Sequence, residues 1–297
     1  GLAGEIGGGI TLVAELMPKE TRGYGTMIVV ATGVAGAVAA AITYEFFSWR
    51  WTYIIGGIMG LCLLALRLSV AESGIFKELA AKEHVARGNF FMLFTSWDRF
   101  SRYLNCILVG LPIWYSLGLI VTFSPEIGRA LNLDAPITAP SAVFWFYCGS
   151  IVNSLLSQWL QSRKLAIGIF LMGTLATLAA FYYLPVPSAA YFLGLLFALG
   201  FFTAYWAMLV TLSAEQFGTN LRATVATSVP NFVRGAAFLM TTLFAFLKPD
   251  FGVWSSAEIV GLIAAALALF ALAMLRETFS VDLDYVETDD KPVKKAG

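Results

Sequence analysis

Two charged residues stand where this sequence is otherwise apolar, and each could do a different chemistry. Arg234 lies inside the apolar run 225 to 247, twelve residues beyond Arg222 at that run's polar edge. On a helix rising about 1.5 Å per residue, this places it about 18 Å along the axis, near the middle of a bilayer. A guanidinium there costs roughly 2.5 to 3.5 kcal/mol on insertion scales, so it is expected to face a cavity, an anionic solute or a carboxylate. A structural ion pair that only packs helices is the other reading. Glu5 lies ten residues before Glu15, about 15 Å from the same rim by the same rise. A carboxyl that meets water in one conformation and is buried in another can take up and release a proton, which is the chemistry of proton coupling. A permanent pair with a basic residue is its alternative.

Elements able to hold charges at that depth must cross a membrane. The 297 residues are 59% hydrophobic and 13% charged, with a mean hydropathy of +0.77, far more apolar than a soluble domain. Apolar stretches run over 1 to 17, 25 to 44, 52 to 68, 104 to 123, 140 to 160, 165 to 184, 190 to 212, 225 to 247 and 255 to 275. About 20 residues span a hydrocarbon core, so about nine transmembrane helices are expected. A barrel would instead show alternating strands of about ten residues. The expected fold is all-α, a polytopic membrane helical bundle.

Other chemistries lack material. The only histidine is His84, and Cys62, Cys106 and Cys148 stand in apolar segments without metal-ligand spacing, so no metal, cofactor or catalytic triad is expected. The glycine-rich GGGIT near the start follows no strand and is not a phosphate loop; Gly33, Gly36, Gly56, Gly57 and Gly60 are expected to let helices approach closely. Net charge is zero, so nucleic acid is not an expected partner.

Counting Lys and Arg in alternate connections gives fifteen on one side and three on the other, so the first side is expected to be cytoplasmic. The expected organisation is three helices over 1 to 68, a charged cytoplasmic loop over 69 to 103, six helices over 104 to 275 and a cytoplasmic tail over 276 to 297. That tail is polar and acidic and reads as disordered. The chain opens at Gly1 inside an apolar run, without an initiator Met, and reads as a piece of a longer protein.

One phrase occurs twice. TLVAELMPKETR (11 to 22) and TLSAEQFGTNLR (211 to 222) share five of twelve positions, and each places an Arg seven residues after a Glu. Both end a span on the side read as cytoplasmic, as parallel repeats of a membrane domain would. The first copy, with Gly4, Glu5, Ala14, Glu15, Pro18, Arg22 and Gly23, resembles the fourth-helix pattern of the major facilitator superfamily, in its sugar and organic-acid symporter branches. Glu215, Phe217, Thr219, Arg222 and Ala223 resemble its tenth-helix ending, VAESGIF (70 to 76) its sixth-helix motif, and Asn231 with Arg234 a motif of its eleventh helix. The chain then corresponds to helices four to twelve of a major facilitator fold, N-terminally truncated. SQWLQSRK (157 to 164) departs from the family's loop pattern, keeping Arg163 and Lys164.

The resemblance implies a secondary active transporter, not an enzyme, working by alternating access as a monomer in the inner (plasma) membrane. Its expected partners are a small-molecule substrate, a proton and the lipid bilayer. Arg234 and Asn231 would bind the solute, a carboxylate, and Trp114, Tyr115, Tyr205 and Trp206 would line its pocket, since rings with a polar edge suit a small ring or apolar body. Glu5 would carry the proton. Glu15, Arg22, Glu215, Arg222 and Arg163 would gate the cytoplasmic side. Sugar porters of the family carry a Trp where this chain has Val210, with Trp206 one turn away, which lowers the alternative of a neutral-sugar facilitator or symporter. A transporter-like membrane solute sensor is a further alternative, although no signalling domain is evident. By itself, a nine-helix piece is expected not to transport.

Overall fold

The structure is a computed structural model that describes residues 22 to 67, 89 to 156, 162 to 278 and residue 287. Among these residues every regular element is helical. Helix α1 spans Arg22–Phe46 and α2 spans Trp49–Arg67. A short 3-10 helix, Phe90–Phe94, begins where the Asn89 side chain accepts the Phe91 N–H at 3.1 Å. It leads into α3, Trp97–Val109, α4, Leu111–Tyr115, and a wider π turn, Ser116–Val121. Next come α5, Ser124–Ala130, α6, Ala139–Leu156, and α7, Arg163–Tyr183. Helices α8, Ala189–Thr203, and α9, Trp206–Glu215, precede α10, Thr219–Met274.

Local chemistry sets these boundaries. Ser162 and Ser188 cap α7 and α8, accepting the N–H groups of Leu165 at 3.1 Å and Tyr191 at 3.2 Å, which satisfies donors that a helix start leaves open. Pro185 and Pro187 cannot continue α7, and they separate it from α8. Helix α10 is two helices in one run: Gly252, at φ 74°, breaks it just after Pro249. That break divides the expected 225 to 247 span from the 255 to 275 span. Helices likewise cover nearly all the described positions of the expected stretches from 25 to 212. The stretch 1 to 17, and most of the 69 to 103 loop, lie outside the described residues.

Five of these runs are long and apolar enough to cross a membrane: Trp49–Leu66, Trp97–Val121, Arg163–Tyr183, Ala189–Glu215 and Thr219–Met274. Their outer faces are as apolar as their inner ones; Phe238, Leu239, Phe246 and Phe270 are all exposed. Helices that are apolar all round belong in lipid. Inside the bundle, backbones approach closely at small residues. A Cβ on Gly149 of α6 would fall 2.0 Å from the Phe197 carbonyl oxygen, and one on Gly200 of α8 would fall 1.8 Å from that of Phe146. Ser150 fastens the same crossing, its hydroxyl donating to the Gly200 carbonyl at 3.0 Å. The glycines expected to do this behave otherwise: Gly33, Gly36, Gly56, Gly57 and Gly60 have nothing within 4 Å of an added Cβ. Their faces of α1 and α2 are open here, so glycine content alone misplaced the close contacts.

Candidate functional site

Two of the spanning runs are interrupted. Helix α3 gives way to α4 at Gly110, followed by Pro112, which has no N–H to donate. The chain turns again at Ser116, whose hydroxyl donates to the Pro112 carbonyl at 2.8 Å. Helix α8 stops at Thr203 and α9 starts at Trp206, with Ala204 N–H only 3.4 Å from the Phe201 carbonyl. Helix α10 runs unbroken through Pro230, which lacks an N–H to donate to the turn before it. In a spanning helix, freed backbone groups are tolerated where the segment is packed in protein or lines a cavity. Neighbours hold the breaks: Asn153 of α6 donates to the Phe201 carbonyl at 2.7 Å. A Cβ on Gly110 would come within 2.7 Å of Val233, so α3 and α10 touch at this level.

The side chains that follow Gly110, Tyr205 and Pro230 converge. Trp114 lies four residues after Gly110, Trp206 begins α9, and Arg234 lies one turn beyond Pro230. The Arg234 guanidinium carbon sits 5.3 Å from the centroid of the Trp114 ring, within the range of a cation–π contact. Trp114 in turn meets Trp206 edge-on, with centroids 6.4 Å apart and planes at 67°. Both indoles are half-buried and Arg234 is exposed, so the cluster keeps a charge and part of two ring surfaces accessible. Tyr147 of α6 is close enough to Arg234 to feel its charge. No sequence signal singled Tyr147 out. Val29 of α1 packs on the apolar group that includes Trp206, Val210 and Ala226.

Other expected pocket residues are placed differently. Tyr115 is fully buried, and its hydroxyl donates to the Ala257 carbonyl at 2.6 Å while pairing with the Tyr182 hydroxyl at 2.5 Å. Tyr205 is also fully buried, with its hydroxyl donating to the Val109 carbonyl at 3.0 Å. Both phenols are spent on interhelical hydrogen bonds, a core role that residue type alone does not distinguish from pocket lining. Asn231 donates back to the Thr227 carbonyl at 2.8 Å. It borders a separate apolar groove of about 780 Å³ between α3 and α10, lined also by Leu104, Phe232, Leu239 and Ile263.

A second polar group lies at the bundle end where α7 and α10 begin and α9 ends. Arg163 Nε is 3.7 Å from Glu215 Oε2, which also accepts the Thr278 hydroxyl at 2.6 Å. Burial of the Glu215 carboxylate works against its charge, while Arg163 and Arg222 favour it. Glu277 accepts the N–H groups of Arg163 and Lys164, both at 3.1 Å, and the Ser162 hydroxyl. Arg102 pairs with Asp98 at 2.8 Å and with Glu287 at 3.1 Å. Glu287 also exchanges two hydrogen bonds with the Asn220 side chain, at 2.9 and 3.0 Å. That part of the tail is docked, contrary to the disorder its composition suggests. Glu5, Glu15 and the Arg22 side chain lie outside the described residues. Among the described residues no group of His, Cys, Asp and Glu is placed to hold a metal ion.

The family model of the Major Facilitator Superfamily matches residues 1–240. The chain belongs to this superfamily. Among its relatives, "Inner membrane metabolite transport protein YgcS" of Escherichia coli (strain K12) is 27% identical over 294 residues, covering 85% of this chain and 63% of that protein. "Putative niacin/nicotinamide transporter NiaP" of Bacillus subtilis (strain 168) is 24% identical, covering 96% of this chain and 72% of the relative. "Probable 4-methylmuconolactone transporter" of Cupriavidus pinatubonensis (strain JMP 134 / LMG 1197) is 24% identical, covering 98% and 70%. The chain thus spans roughly two thirds of the length of these relatives. Superfamily membership and the apolar helices make it a multi-pass membrane protein with an all-α bundle.

Proposed function

We propose that this chain forms the larger part of a secondary transporter that moves a small organic carboxylate by alternating access, with proton symport. The observation that carries the reading is Arg234, an exposed guanidinium inside a spanning helix, held over Trp114 beside the interruptions of two neighbouring runs. Half-helix ends and irregular backbone near the midplane are where transporters of many folds bind solutes. An accessible cation inside a spanning helix, with a ring beneath it, fits an anionic head group on an apolar body. The names of the relatives, metabolite, niacin/nicotinamide and methylmuconolactone transporters, agree with a small organic solute.

Within this reading Arg234 binds the carboxylate and Trp114 and Trp206 line the pocket. Glu5 carries the coupling proton, and Glu215, Arg163 and Arg222, with Glu15 and Arg22, gate the end that the Lys/Arg count assigns to the cytoplasm. The test is uptake of labelled carboxylates by the complete transporter in proteoliposomes, with and without a pH gradient. Gradient-driven uptake that Arg234→Gln abolishes is the expected result. Carboxylate uptake intact in Arg234→Gln removes the substrate class and favours a neutral solute; uptake indifferent to the gradient removes the symport.

A further inference from the structure

The shape of the Arg234 cluster says more about the solute than its charge, provided the carboxylate reading above holds. Trp114 and Trp206 stand at 67° to each other with 6.4 Å between centroids, so one indole is a floor and the other a wall. Arg234 lies over the floor. We propose that this corner selects a flat, unsaturated ring acid, its carboxylate held by Arg234 and its ring lying in the angle that the Trp114 and Trp206 rings form.

Three features favour this solute over an aliphatic acid or a polyol. Indole rings carry a negative face and a positive edge, so a second π ring gains an edge-to-face or offset-stacked contact on either surface, beyond the area it buries. A saturated ring of equal carbon count gains only the area. Planarity matters as well: a carboxylate conjugated to its ring keeps head and body in one plane, so a guanidinium above the floor holds the ring along that floor. A puckered ring would lift away. Finally, hydrogen-bonding groups are scarce at this corner among the described residues. Tyr115 and Tyr205 are turned into the core, and the Asn231 amide N–H is engaged with Thr227. Among the described residues, Tyr147 is a neighbouring polar group that remains partly open. A solute with many hydroxyls would leave them unpaired, at a cost for each.

Calorimetric binding of benzoate, cyclohexanecarboxylate and benzyl alcohol to the complete transporter in nanodiscs tests the inference. Benzoate is expected to bind about fivefold more tightly than cyclohexanecarboxylate, the ratio that one aromatic contact supports. Trp114→Leu and Trp206→Leu should each bring that ratio towards one while binding of both acids persists. Equal affinities for the two acids in the unmutated protein overturn the ring selection and leave the carboxylate reading standing. Benzyl alcohol binding as tightly as benzoate, or benzoate binding unchanged in Arg234→Gln, overturns the carboxylate reading and this inference with it. A wild-type ratio near five that neither tryptophan substitution alters overturns the assignment of the ring to this corner.

Discussion

Gly149 of α6 lies against the α8 backbone at Phe197 and Gly200 of α8 against the α6 backbone at Phe146, and at each the space for a Cβ is filled by a carbonyl oxygen of the other helix. This contact lies beside the hydrogen bond from Asn153 that supports the break in α8, so packing here also positions Trp206.

Enlarging either glycine therefore has a defined effect. Gly200→Val should destabilise the bundle by at least about 1 to 3 kcal/mol, since carbonyl oxygens cannot give way as a flexible side chain can. The lost stability is read as a lower thermal unfolding midpoint in detergent. Gly194 lies on the same helix with nothing within 4 Å of an added Cβ, and Gly194→Val should leave the midpoint nearly unchanged. Equal losses at both sites would mean that the close crossing is not what α8 depends on.

Arg234 separates a binding role from a packing role. Its cation–π contact with Trp114 is worth about 0.5 to 1 kcal/mol at an exposed site, so Arg234→Gln should hardly move the unfolding midpoint. Losing a charged hydrogen-bond donor to a carboxylate should weaken solute binding by about 10- to 100-fold. Arg234→Lys keeps the charge but not the planar fork, and should fall between the two. A large fall in stability with intact binding would instead mark Arg234 as a helix-packing residue.

Glu277 illustrates a contact that crosses the bundle. It lies just beyond α10 and accepts two N–H groups at the start of α7, where a helix leaves donors open and favours negative charge. Glu277→Ala should cost about 1 kcal/mol, typical of a lost cap on a partly exposed group. Hydrogen exchange should rise in the first turn of α7 and not in α8. Glu277→Gln, which keeps an acceptor oxygen, should show a smaller rise.

The sequence made some of this legible and hid the rest, for identifiable reasons. Unbroken apolar runs read directly as helices because a membrane demands them, and Arg234 and Trp114 stood out through charge at depth and ring chemistry. Whether a tyrosine faces a pocket or the core depends on where its hydroxyl finds a partner, so Tyr115 and Tyr205 could not be sorted without Ala257 and Val109 in view. Glycine marks a close crossing only when another backbone arrives, which happens at Gly149 and Gly200 but not at Gly33 or Gly57. Tyr147 gave no signal, because nothing local distinguishes it from its aromatic neighbours.

Composition also misleads at Glu287, which offers a direct check. An acidic polar segment lacks a core of its own, yet one carboxylate can dock on a ready-made site: Arg102 pairs with it, and the Asn220 side chain both donates to its carbonyl and accepts its N–H. Asn220→Ala removes the two backbone bonds without touching the ion pair. At about 0.5 to 1.5 kcal/mol for each bond, the Glu287 amide should exchange about tenfold faster or more. Arg102→Gln should produce a rise that shrinks with added salt in the unmutated protein's own profile, because the pair it removes is the screened part of the attachment. Exchange of the Glu287 amide at the free-chain rate before any substitution would mean that the tail is not held at Asn220.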